Sequence, residues 1–168
     1  MIKNKIRYEF GQINIGIATA VAALFIFVDF AVWCAVGSPV YVLRFISGSV
    51  PVLPLWLFGL LDFISFALFG FALGAMLGNR CAANEVAKYR GAFYFIIGVT
   101  LVCLHHAFFF SSATFFVALL TSVLMCFFVT VAIVNFARAS KPAALAASVG
   151  ALWSVYLLVL NLVSFFFM

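Results

Sequence analysis

Two carboxylates, Asp29 and Asp62, stand inside otherwise apolar stretches of this chain, and the neighbouring pair His105-His106 and Asn161 do the same. Ionisable groups at membrane depth are costly, which makes each of them a candidate functional residue. Two carboxylates and an imidazole can bind a metal ion, relay a proton, or hold the polar or cationic end of a hydrophobic ligand. The structural alternative is a buried hydrogen-bonded network, or a carboxyl group that simply keeps its proton. Adjacent residues on a helix point about 100° apart, so His105 and His106 are not expected to share one ion, and no metal site is assigned. Nucleophile elbows, phosphate loops and His-Glu zinc motifs are absent from the sequence, which argues against an enzyme.

The elements that must carry these residues are long and apolar. Hydrophobic residues make up 68% of the chain and charged ones 8%, whereas a soluble domain needs roughly a quarter of its residues charged. A membrane-spanning helix takes about 20 apolar residues. The 168 residues therefore divide into five helices, over about 13–37, 55–78, 91–110, 114–137 and 143–167, forming one domain with little outside the bilayer. The runs are continuous rather than alternating, so helices are the expected spanning form. The apolar stretch after Lys3, Lys5 and Arg7 has no small-residue cleavage site and is read as the first helix, not a signal peptide.

Charge gives an orientation. Lys3, Lys5, Arg7, Arg80, Lys88, Arg90, Arg138 and Lys141 fall on one side of a five-helix threading, and Arg44 alone on the other. Basic connections stay in the cytoplasm, so the N-terminus is expected inside and the C-terminus outside. The net charge of +5 is thus a topology signal and not a nucleic-acid footprint. In this threading Asp29, Asp62, His105 and Asn161 all lie in the outer half of their helices. They could meet in one polar pocket beneath the outer loop that carries Pro39, Pro51 and Pro54. Trp33 and Trp56 are placed as interfacial belt residues, while Trp153 stands mid-helix.

Gly70, Gly74 and Gly78 recur at spacing four, a groove that lets two backbones approach closely. The partner is either a second copy or, by preference, another helix of the same chain. Ala143, Ala147 and Ala151 form a weaker ridge of the same kind. Cys34, Cys81, Cys103 and Cys126 lack metal-ligand spacing and read mostly as small apolar fillers; Cys34 and Cys103 could come close near the outer side.

Two stretches resemble the TspO/MBR family, the translocator or tryptophan-rich sensory proteins. In the second helix Trp56, Phe58, Gly59, Phe66, Gly70 and Ala72 follow its Trp-x-Phe-Gly…Tyr…Gly-x-Ala pattern, with Phe66 for the usual Tyr. In the fifth, Ala143-Ala144-Leu145, Trp153, Tyr156, Leu160 and Asn161 follow its Ala-Ala-Leu…Trp-x-x-Phe…Leu-Asn pattern, and Phe109-Phe110 and Phe136-Ala137-Arg138 keep the register between them. The departures fall in the pocket. Asp62 and His105 stand where the family has tryptophans, Gly98 and Val102 where a Gln and an Asn are common, and Val149-Gly150 replace a Pro-Tyr pair.

The resemblance implies a five-helix bundle whose pocket takes porphyrins and other hydrophobic ligands. Asp62, Phe66, His105, Phe109, Trp153, Tyr156, Leu160 and Asn161 would line it, with Asp29 nearby. The expected protein binds, senses or transports a hydrophobic or amphipathic ligand, of porphyrin or haem type by the resemblance, as a homodimer in a bacterial plasma membrane. Porphyrin breakdown has been proposed for the family, but the replaced tryptophans give no reason to expect it here. The rival expectations are a small proton- or metal-coupled transporter using Asp29, Asp62 and His105, and a non-catalytic subunit of a membrane complex.

Overall fold

A computed structural model describes residues 13–36, 42–43, 52–79, 84–111 and 114–167. Within them run five long helices: α1 (Ile15–Val36), α2 (Leu55–Leu77), α3 (Glu85–His106), α4 (Phe115–Ala139) and α5 (Lys141–Phe167). All five are long and apolar enough to cross a membrane, the build of an integral membrane protein. Their outward faces fit that solvent. Phe27, Phe30, Trp56, Phe93, Phe116, Phe127 and Leu152 are each more than half exposed, a surface that calls for an apolar surrounding. The side-chain hydroxyls of Thr19, Ser65, Thr100, Thr121, Ser148 and Ser164 donate to carbonyls of their own helix, as an apolar surrounding requires.

The helices begin and end on local chemistry. Asn14 Oδ1 accepts from Ile17 N–H at 3.2 Å at the head of α1, and Asn84 Oδ1 from Ala87 N–H at 2.9 Å at the head of α3. That second cap moves the start of α3 to Glu85, six residues before the expected 91. Glu85, Lys88 and Arg90 are therefore helical rather than part of a connection, and Lys88 Nζ reaches back to the Asn79 carbonyl at 2.9 Å. At its other end α3 widens into a π-helical turn, Ala107–Ser111. Ser140 alone separates α4 from α5, whose second residue is Pro142, tolerated there because the first turn has no N–H partner to lose.

Helix α1 packs on α2, α2 on α5, α5 on α4 and α4 on α3, while α3 meets α1 and α2 more sparsely. Glycines set the closeness of these contacts. A Cβ on Gly70 would lie 2.6 Å from Ala22 Cα, and one on Gly74 2.6 Å from Ala18 Cα. The small-residue groove is therefore filled by α1 of the same chain. Gly78 sits against Asn14 at the end of the same seam, and Ala143 and Ala147 are likewise buried inside the bundle. Gly91 receives the Phe136 ring, Gly98 the Val129 side chain and Gly150 the Phe69 ring. Cys34, Cys103 and Cys126 are free thiols; Cys81 lies outside the described residues.

Candidate functional site

The polar residues do converge, but as two adjoining networks in a packed interior. Phe58, Asp62 and Phe66 recur at spacing four on one face of α2 and are all buried. Asp62, with no exposed surface, is the hub. Its Oδ1 accepts the Trp153 indole N–H at 2.6 Å. Its Oδ2 accepts the Trp33 indole N–H at 2.8 Å and lies 3.0 Å from His106 Nε2. One helix contributes to each contact: α1 gives Trp33, α2 Asp62, α3 His106 and α5 Trp153.

The proton inventory of this centre follows from its neighbours. His106 Nδ1 faces the Val102 carbonyl at 2.8 Å, which can only accept, so Nδ1 carries a hydrogen. A second proton must then lie between Nε2 and Asp62 Oδ2 for that 3.0 Å contact to be a hydrogen bond. Asp62 and His106 make a buried ion pair. Aromatic rings enclose it: Trp33 stands edge-on 5.2 Å from His106, Phe58 edge-on 4.8 Å from Trp153, and Phe110, tilted, closes the side toward Trp33 at 5.4 Å.

His105 belongs to the second network. Its Nε2 accepts from Asn161 Nδ2, which also donates to the Leu157 carbonyl at 2.8 Å. The His105 ring stacks on Phe109 at 5.5 Å and meets the His106 ring nearly at right angles at the same separation. His105 Nδ1 and Asn161 Oδ1 are buried without hydrogen-bond partners. Phe66 and Leu160 complete the core around both networks.

The remaining expected site residues line two grooves on opposite flanks of α2. Trp153 and Tyr156 are stacked at 4.8 Å and line a groove of about 330 Å³ between α2 and α5, with Leu61, Ile64, Ser65 and Leu152. Asp29 lines a second groove of about 330 Å³ between α1 and α2, with Phe30, Trp33, Leu55, Phe58, Gly59 and Phe63. Asp29 is buried, yet its Oδ1 has no hydrogen-bond partner. Among the described residues no three His, Cys, Asp or Glu side chains are grouped as a metal site would need.

The sequence places Asp29, Asp62, a histidine and Asn161 at similar depth in one pocket; in the structure Asp62 meets His106 and the mid-helix Trp153, His105 meets Asn161, and Asp29 lines a separate groove. Sequence reasoning singled out His105 as the functional histidine, whereas His106 pairs with Asp62. It also placed Trp33 at the interface; its indole instead turns inward to Asp62, leaving Trp56 exposed. Phe58 and Phe110, which wall the ion pair, were not on the site list. The available signal was that Trp33 lies one helical turn from Asp29 and so shares its face. Compared with family models, curated proteins and solved structures, the chain matches none.

Proposed function

We propose that the protein is a non-catalytic, TspO/MBR-like membrane protein that binds a hydrophobic or amphipathic planar ligand, of tetrapyrrole type, taken up laterally from the bilayer. The observation that carries this reading is the groove between α2 and α5. The stacked Trp153 and Tyr156 rings give it an aromatic wall, the rest of it is almost wholly apolar, and it opens on the lipid-facing side. Flat aromatic surface with one anchored polar handle is what a planar amphipathic ligand requires. The Trp153 ring is held in place by its N–H bond to Asp62, and the Tyr156 hydroxyl beside it is the handle. The basic residues orient the chain with its N-terminus in the cytoplasm of a bacterial cell, which puts this groove in the outer half of the plasma membrane. A homodimer belongs to the same proposal, joined through lipid-facing surfaces because Gly70 and Gly74 already hold α1.

The test is titration of protoporphyrin IX into the protein in lipid nanodiscs, followed by tryptophan quenching. Ile64→Trp, which fills the groove without touching the ion pair, is expected to weaken binding at least about tenfold, the effect of losing one well-packed contact. Unchanged affinity in that variant would remove the groove from the ligand site.

The Asp62–His106 pair favours a second reading, a proton-coupled transport module, because it holds a transferable proton in the bilayer interior. Here His106 takes the role expected of His105. Proton flux into proteoliposomes that Asp62→Asn abolishes would support it; no flux in the wild-type protein would end it.

A further inference from the structure

Helix α1 leaves most of its side chains exposed and fully buries only two residues, Ala18 and Asp29. Ala18 is explained by the close approach of Gly74. Asp29 has no such explanation. It is 3% exposed and its Oδ1 accepts no hydrogen bond, while its other polar contacts are to Trp33 and Asp62. Among the described residues the ionisable groups that act on it are Asp62 on α2 and His106 and Cys103 on α3. Asp62 and His106 already face one another, so among the described residues no cation is left over for the Asp29 carboxyl.

The groove in front of Asp29 is shaped for a counter-charge of a particular kind. Phe30 and Trp33 from α1 and Phe58 and Phe63 from α2 surround the carboxyl with aromatic rings. Gly59 forms the floor, and a Cβ placed there meets nothing within 4 Å, so the space is open and not filled by a neighbour. Such walls exclude a hydrated inorganic cation, which would gain too few oxygen ligands to shed its water. They favour an organic cation that spreads its charge against ring faces. We propose that the α1–α2 groove is a binding site for a small lipophilic organic cation, with Asp29 as its counter-ion and Trp33, Phe58 and Phe63 as its aromatic walls.

In this proposal binding is an exchange: the Asp29 carboxyl gives its proton to solvent, and the carboxylate that remains pairs with the incoming cation. This site lies on the other flank of α2 from the Trp153–Tyr156 groove and does not depend on that reading.

Tetraphenylphosphonium is the probe, added to the full chain in nanodiscs of zwitterionic lipid, with tetraphenylborate as its anionic match of the same shape. Saturable binding of the cation alone is expected, with about one proton released per cation in weak buffer and affinity falling as pH is lowered. Asp29→Asn, which keeps the side chain's size, should weaken binding at least about tenfold and abolish the proton release. Gly59→Leu should block the groove while the variant still unfolds cooperatively near the wild-type midpoint, which reports that the fold is intact. Equal binding of tetraphenylborate, or wild-type affinity for the cation in Asp29→Asn, would overturn the assignment. A porphyrin site that fails its own test leaves these outcomes unaffected.

Discussion

Asp62 accepts two indole hydrogens and pairs with one imidazole, so each of its three partners loses something different when it is changed. In Asp62→Asn the remaining oxygen can serve Trp153, but the amide nitrogen then faces the Trp33 N–H, donor against donor. The expected cost is about 1–3 kcal/mol, that of one unsatisfied buried group. Trp33→Phe removes the conflicting donor, so the double variant should be more stable than the sum of the two single changes implies. Reversible unfolding in detergent measures both quantities, and strict additivity would contradict the shared-acceptor geometry. Asp62→Leu strands His106 and both indoles and should cost about 3–5 kcal/mol, as for a broken buried pair. The imidazole nitrogens of His106 offer a direct view of the proton: both should carry hydrogen by nitrogen NMR, and one should lose it in Asp62→Leu. The sequence exposed Asp62 because a carboxylate breaks an apolar run, whereas Trp153 entered only through the family resemblance. It could not choose between His105 and His106. Neighbouring residues differ by about 100° on a helix, and the rotation of α3 about its axis is set by packing, with Gly91 and Gly98 seated against Phe136 and Val129 of α4.

At the scale of the helix, the glycines of α2 do different things, and substitution should sort them. At Gly74 a methyl group would press on the α1 backbone at Ala18, so Gly74→Ala is expected to destabilise the bundle by about 1–3 kcal/mol through overpacking. Gly59→Ala adds a methyl into open space and replaces a poor helix former, so it should be neutral or stabilising by up to about 1 kcal/mol. Comparing the two by thermal unfolding checks the assignment, since a dimer seam at Gly74 would make its effect depend on protein concentration. Spacing four in the sequence was enough to find the close contact but not its partner, because α1 meets Gly70 and Gly74 with the alanines Ala22 and Ala18 rather than with glycines. Apolarity likewise located every helix yet misjudged the start of α3. Glu85, Lys88 and Arg90 look like a connection by composition. They are held in helix by the Asn84 cap and by Lys88 bridging to Asn79, a contact across nine residues that no window of hydropathy records.

For the whole molecule, orientation is the property that joins sequence to function. The α1–α2 groove lies toward the end of the bundle where α1 finishes and α2 begins, since Trp33 and Leu55 sit at that end, and the α2–α5 groove runs from Leu53 at that end to Leu68 in the middle of α2. The eight basic residues of the expected cytoplasmic side belong to the opposite end of the threading. A planar ligand or an organic cation would therefore enter from the outer leaflet. Alkaline phosphatase joined after Met168 should be active in whole bacterial cells, and a fluorescent protein joined there should stay dark. Changing Arg80, Lys88 and Arg90 together to Gln, while adding lysines beside Arg44, weakens the charge asymmetry at its centre and should give a mixed population in the same assay. A C-terminal phosphatase that is inactive in the unmodified chain would invert the threading. Both grooves would then face the cytoplasmic leaflet, and their ligands would have to be sought among compounds made inside the cell.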